Sequence, residues 1–157
     1  MLDSPQIKQT AEQQAAVIRL TIPRAEIGNM MGPGFHELMG TIAAQGIAPA
    51  GAFFSHHLRV DPDVFDFEIG VPVSSPVSPT GRVAQGVLPG TTVIRTTYRG
   101  GYEGLGEAWG EFEAWIQAEG LQTTCSCWES YLAGPESNPD PATWRTELNR
   151  PLATPAP

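Results

Sequence analysis

Glu129 is the residue of this sequence best placed to do chemistry. It stands in the run Leu121 to Leu132, with Cys125, Cys127 and Trp128 before it and Tyr131 after it, between Gly120 and Gly134. Aromatic, β-branched and large apolar residues make the run read as a strand. Side chains alternate across a strand, so Glu129 shares a face with Cys125, Cys127 and Tyr131, while Trp128 and Leu132 point the other way. A carboxylate among aromatics is costly to bury without a partner. Two readings follow: a strand face that is exposed or internally hydrogen-bonded, or a glutamate that meets a cationic or polar ligand. Cys125 and Cys127 are too close along a strand for an unstrained disulfide. Two thiols are also a poor metal site, so they read as small core or pocket residues.

Positioning Glu129 takes a sheet and a covering layer, and the chain carries the parts of both twice. Met1 to Ala16 reads as a loosely packed leader. Val17 to Ile22 alternates as a strand that Pro23 ends. After the Gly28–Gly34 region, Phe35, Leu38, Met39 and Ile42 recur at helical spacing, and Gly46 closes the helix. Ala52 to Val60 and Val64 to Val73 read as strands. In the latter, Phe65, Phe67, Ile69 and Val71 face one side, and Asp66, Glu68 and Gly70 the other. The second half repeats this: a strand over Thr92 to Thr97, a stripe of Leu105, Ala108, Trp109, Phe112 and Ile116, then Gly120, strand 121–132 and strand Trp144 to Leu152. A shift of 74 residues places Phe54 on Trp128, Ser55 on Glu129 and His57 on Tyr131. A shift of 79 places Glu68-Ile69 on Glu147-Leu148. The difference falls in the loop Ala133–Ala142, where insertions are tolerated.

These parts predict an α+β fold of duplicated β-α-β-β units with pseudo-twofold symmetry. Antiparallel sheets would carry a helix from each half on one face, with a ligand cleft between the halves. The chain, 1–157, would be a single domain, with half one at about 17–73 and half two at about 83–152. Segment 74–91 would join the halves, and 153–157 would be a disordered tail. Glu68, Glu129 and Glu147, all placed off the helix-covered face, would converge on one groove.

Bulk properties narrow the function. The 157 residues carry a net charge of −8, 41% hydrophobic residues, 15 Pro and 17 Gly. The chain is long enough for one domain with a real core. An acidic chain without a basic run argues against direct nucleic-acid binding and is compatible with a cationic partner. No apolar run is long enough to span a membrane. No secretory signal core is visible, so the expected location is cytoplasmic.

Several motifs then carry a resemblance. Tyr98-Arg99-Gly100-Gly101-Tyr102-Glu103-Gly104-Leu105, followed by Ala108-Trp109 and Phe112, resembles the strand-to-helix signature of the GyrI-like small-molecule-binding family. That family is also known as the AraC-type effector-binding domain. Trp128-Glu129-Ser130-Tyr131, Gly134-Pro135, Thr146-Glu147-Leu148 with Pro151-Leu152, and Phe67 to Val73 are similar to its other motifs, and the likeness runs from about Val17 to Leu152. The resemblance implies a central cleft for hydrophobic, often cationic, compounds, with a buried glutamate at Glu129 among aromatic side chains. Some members are ligand-sensing domains fused to helix-turn-helix regulators, and some stand-alone members hydrolyse cyclopropane-containing compounds. This chain departs from the pattern at Tyr98, where His is common, and near Asn149, where an aromatic is common. No DNA-binding segment is read in it, so a stand-alone member is expected.

The expected ligand contacts are Glu129 and Tyr131, then Tyr98 and Tyr102 at the cleft lip, Glu147, Glu68, His57 and Trp109. Each has a plainer reading. Tyr131, Tyr98 and Tyr102 would be ordinary packing, Glu147 and Glu68 backbone-bonding groups, His57 a satisfied histidine and Trp109 core. Trp128 and Trp144 read as core. His36 and His56 show no metal pattern, no metal or other cofactor is expected, and no nucleophile elbow is present. The favoured function is a multidrug sensor or sequestering protein for hydrophobic, cationic small molecules. The alternatives are a metal-independent hydrolase using Glu129 and a protein-interaction inhibitor module.

Overall fold

Two short stretches of alternating residues, one on each side of an amphipathic helix, recur as two compact units, 11–90 and 1–10 with 91–157. The computed structural model describes residues 2–23, 26–60, 64–124, 126–134 and 138–153, without the side chains of 27–29, 59, 60, 64 and 65. Cys125, Pro135 and the tail from 154 thus lie outside the described residues, as does the side chain of Phe65.

The first unit holds β2 (Gln13–Pro23), α1 (Ile27–Ala44), β3 (Phe54–Val60), β4 (Val64–Pro72) and β5 (Val83–Leu88); β1 (Gln6–Gln9) belongs to the second unit. Its strands run antiparallel in the order β3-β4-β2-β5. Leu38 and Ile42 of α1 share a buried cluster with Ile18 and Leu20 of β2 and Phe67, Ile69 and Val71 of β4. Each such side chain contributes about 1.5–3 kcal/mol by leaving water.

The second unit joins β1 to β6 (Thr92–Arg99), α2 (Leu105–Ala118), β7 (Cys127–Ala133) and β8 (Arg145–Pro151). Its antiparallel order is β1-β6-β8-β7. Ala108, Phe112 and Ile116 of α2 pack on Ile94 and Leu148. Helix and sheet fractions of this kind make the chain α+β and antiparallel, as its sequence predicts.

The strand ladders carry the duplication residue by residue. In the first unit Phe54 pairs with Gly70, Ser55 with Ile69, His56 with Glu68 and His57 with Phe67. In the second, Trp128 pairs with Asn149, Glu129 with Leu148, Ser130 with Glu147 and Tyr131 with Thr146. Both ladders then slip, between His57 and Arg59 and between Tyr131 and Ala133. Gly46 and Gly120, which follow the two helices, both have φ of 69°. That left-handed conformation closes a helix at little cost only in glycine.

Four expectations change. The leader is structured: Gln6 to Gln9 pair with Thr92 to Arg95, and β2 begins at Gln13, with Ala15 and Ala16 fully buried. Short polar or small residues give no periodic signal, so neither was legible. Helix α1 begins at Ile27 and contains Pro33. Tertiary packing overrides the low helix propensity of its glycines and proline: Met30 and Met31 pack on the core, and a side chain at Gly34 would collide with Ile69. The strand expected over 121–132 begins only at Cys127. The joining segment 74–91 contains β5, which pairs with β2, so residues 83–88 lie in the first unit.

Candidate ligand-binding site

Directly paired residues of an antiparallel ladder share a face of the sheet. Glu129 pairs with Leu148, which pairs in turn with Thr96. Leu148 packs against Phe112 and Ile116 in the α2 core. Glu129 therefore lies on the helix-covered face, not off it. The reason is that alternation fixes relative faces, whereas the helix chooses the side.

The helix makes this position polar. Trp109, one turn from Phe112 on α2, donates its indole N–H to Glu129 Oε2 at 2.6 Å. Tyr131, two residues along β7, donates its hydroxyl to Oε1 at 2.8 Å. Glu129 is 9% exposed. Each carboxylate oxygen thus accepts a hydrogen bond from an aromatic side chain.

An aromatic surround extends from this pair. The Tyr131 ring meets Tyr102 edge-on at 5.8 Å, and Tyr102 lies 5.0 Å from Trp144. Trp109 also packs 5.7 Å from Phe112, so it serves core and carboxylate together. Trp144 is half-buried rather than core, because its indole N–H is turned to Asn138 O at 2.7 Å. Trp128, on the opposite face, is 1% exposed. Tyr102 is 36% exposed, on a single 3-10 turn before α2. Tyr98 holds that turn: its hydroxyl donates to Gly101 O at 3.0 Å, and a side chain at Gly104 would strike it.

The three carboxylates expected to converge do not share a face. Glu147 pairs with Ser130 and so lies on the sheet face opposite Glu129. There it sits 3.3 Å from Arg95 Nε and accepts from Asn149 Nδ2 at 3.2 Å, while Arg95 Nε donates to Asn149 Oδ1 at 2.7 Å. Asn149, near which the family resemblance implies an aromatic, is the fully buried member of this network. Glu68 belongs to the first unit, on the face away from α1, paired in register with Arg19 and His56. Burial raises its pKa, and Arg19 opposes the shift. His57 is on the α1 side, stacked on Phe67 at 5.0 Å.

Cys127, two residues before Glu129, is buried. Burial pushes its thiol up to about 12; Arg150 opposes this, and Glu129 and Glu113 reinforce it. Such a thiol is a poor nucleophile at neutral pH. Among the described residues no cluster of His, Cys, Asp and Glu could hold a metal ion. No helix among them is long and apolar enough to cross a membrane. Sequence reasoning missed Thr146, a fully buried hydroxyl directly opposite Tyr131. Its parity with Leu148 along β8 was the available signal.

Several solved structures share this fold. The crystal structure of the EcmrR C-terminal domain is 22% identical, with a TM-score of 0.83, covering 97% of this chain and 98% of that one. In the cryo-EM structure of an EcmrR–DNA complex, the present chain spans 58% of the EcmrR chain. SAV2435 bound to tetraphenylphosphonium is 12% identical, with a TM-score of 0.66 and coverage of 96% and 94%. A hydrolase from Listeria innocua is 14% identical, with a TM-score of 0.62 and coverage of 95% and 91%. At these identities the likeness is one of fold. No curated protein sequence matches the chain. A family model matches residues 3–153, nearly the whole length, and by it the chain belongs to the GyrI-like small molecule binding domain family.

Proposed function

We propose that the protein captures amphipathic organic cations, with Glu129 as the counter-charge and Trp109, Tyr131 and Tyr102 as its aromatic surround. The observation that carries this reading is the carboxylate of Glu129, 9% exposed and fixed through both oxygens. A carboxylate so placed attracts a cation with little solvent screening. The neighbouring rings add about 0.5–2 kcal/mol of cation–π attraction. The phosphonium in the similarly folded SAV2435 is a ligand of this chemistry. Tyr98 supports the site by holding the turn that carries Tyr102 rather than by touching ligand. The protein then acts as a cytoplasmic sensor or sequestering protein for such compounds.

The test is tryptophan-fluorescence titration of wild type and Glu129→Gln with tetraphenylphosphonium. Glutamine preserves shape and removes charge, and the expected loss is about 1–3 kcal/mol of binding. Equal affinities would sink the proposal. Mass spectrometry of the recovered compounds, with a cyclopropane-containing compound in the panel, separates capture from turnover. A hydrated product that disappears in Glu129→Gln would make Glu129 a general base and the protein a hydrolase.

A further inference from the structure

Thr146 is fully buried, yet its hydroxyl has no hydrogen-bond partner among the described residues. Buried hydroxyls are nearly always bonded, because desolvating one without compensation is unfavourable. Its position is specific. On β8, Thr146 pairs with Tyr131 on one side and with Tyr98 on the other. It therefore lies on the same sheet face as Glu129, directly across from the tyrosine that donates to that carboxylate. The two tyrosine hydroxyls flanking it are turned elsewhere, to Glu129 and to Gly101 O.

We infer that Thr146 is a specificity-determining contact that reads a hydrogen-bonding group on the ligand. The inference rests on the assignment of Glu129 as the cation's counter-charge. The ligand class becomes narrower: aryl cations that also bear a hydroxyl, amine or carbonyl set beside the charged centre. A hydroxyl both donates and accepts, so any of these groups satisfies it. Tyr102 is the outermost ring, in contact with Tyr131 across from Thr146 and with Trp144 two residues before it. It also sits on a turn next to Gly100, whose φ is 141°.

The test uses Thr146→Val, which keeps the side-chain shape and the strand preference while removing the hydroxyl. Two probes are titrated: tetraphenylphosphonium, which has no hydrogen-bonding group, and triphenylphosphonium carrying one hydroxyphenyl ring. Wild type should prefer the hydroxylated probe, and Thr146→Val should lose roughly tenfold in affinity for it while binding tetraphenylphosphonium unchanged. The thermal midpoint of the ligand-free variant should not fall, because an unpartnered hydroxyl has been removed. Equal affinity of variant and wild type for the hydroxylated probe would overturn the inference. So would a lower thermal midpoint, which would give the hydroxyl a structural partner. Glu129→Gln is run beside it: if that variant binds both probes like wild type, the cation assignment itself fails, whatever Thr146 does.

Discussion

Glu129 shows how one side chain acquires a role from its donors. Trp109 and Tyr131 each supply one hydrogen bond to it, from a helix and from its own strand. Trp109→Phe or Tyr131→Phe should leave one buried carboxylate oxygen short of a donor. Each should lower stability by about 1–3 kcal/mol in urea unfolding and also weaken tetraphenylphosphonium binding. Unaltered unfolding in both would mean that these bonds do not hold the carboxylate. The sequence did disclose Glu129 and Tyr131 as neighbours on one face, since alternation is a local property. It did not disclose the bond from Trp109, because a stripe residue at helical spacing reads as core whether or not its indole N–H reaches a partner.

At the level of elements, each helix is held by one apolar stripe and closed by one left-handed glycine. Phe112 is fully buried between α2 and its sheet, so Phe112→Ala should cost about 3–5 kcal/mol in denaturant unfolding. Gly120→Ala should cost about 1 kcal/mol or more, since alanine is strained at a φ of 69°. Strand β1 is an edge strand whose four side chains are all exposed. It is nonetheless tied in, because Thr96 Oγ1 donates to Asp3 O at 2.6 Å and Arg99 Nε lies 3.1 Å from Asp3 Oδ1. Removing residues 2–9 should lower the thermal midpoint measurably; an unchanged midpoint would make β1 an ornament of the sheet. Helices and inner strands were legible because burial imposes periodicity on them. Strands β1 and β5 were not, because β1 exposes all four of its side chains and β5 buries only its two ends, Val83 and Leu88, so neither run alternates.

Over the whole molecule, charge and burial set the response to solution conditions. With a net charge of −8, association with organic cations should slow as salt rises, which stopped-flow fluorescence would read directly. His56 and Glu68, paired across β3 and β4, shift in opposite directions. Burial lowers the His56 pKa from 6.5, so the unfolded chain binds the proton more readily. The stability this supplies is present above pH 6.5 and is lost as pH falls through the lower folded value. Burial raises the Glu68 pKa from 4.5, so its contribution is full below that value and is lost as pH rises through the folded one. Urea unfolding from pH 4 to 8 should show His56→Gln flattening the acid-side loss and Glu68→Gln flattening the opposing slope. The sequence by itself determined the two helices and the inner strands, their duplication with its shifts of 74 and 79 residues, and a glutamate set among aromatics. Those are properties of neighbours along the chain and of burial repeated at fixed periods. Only the tertiary structure decided that α2 covers the Glu129 face and sends Glu147 to the other. It also decided that Trp109 reaches the carboxylate and that Thr146 is buried with no partner for its hydroxyl among the described residues. Which side of a sheet a helix packs on is set by contacts between residues far apart in sequence, and no local spacing carries that information.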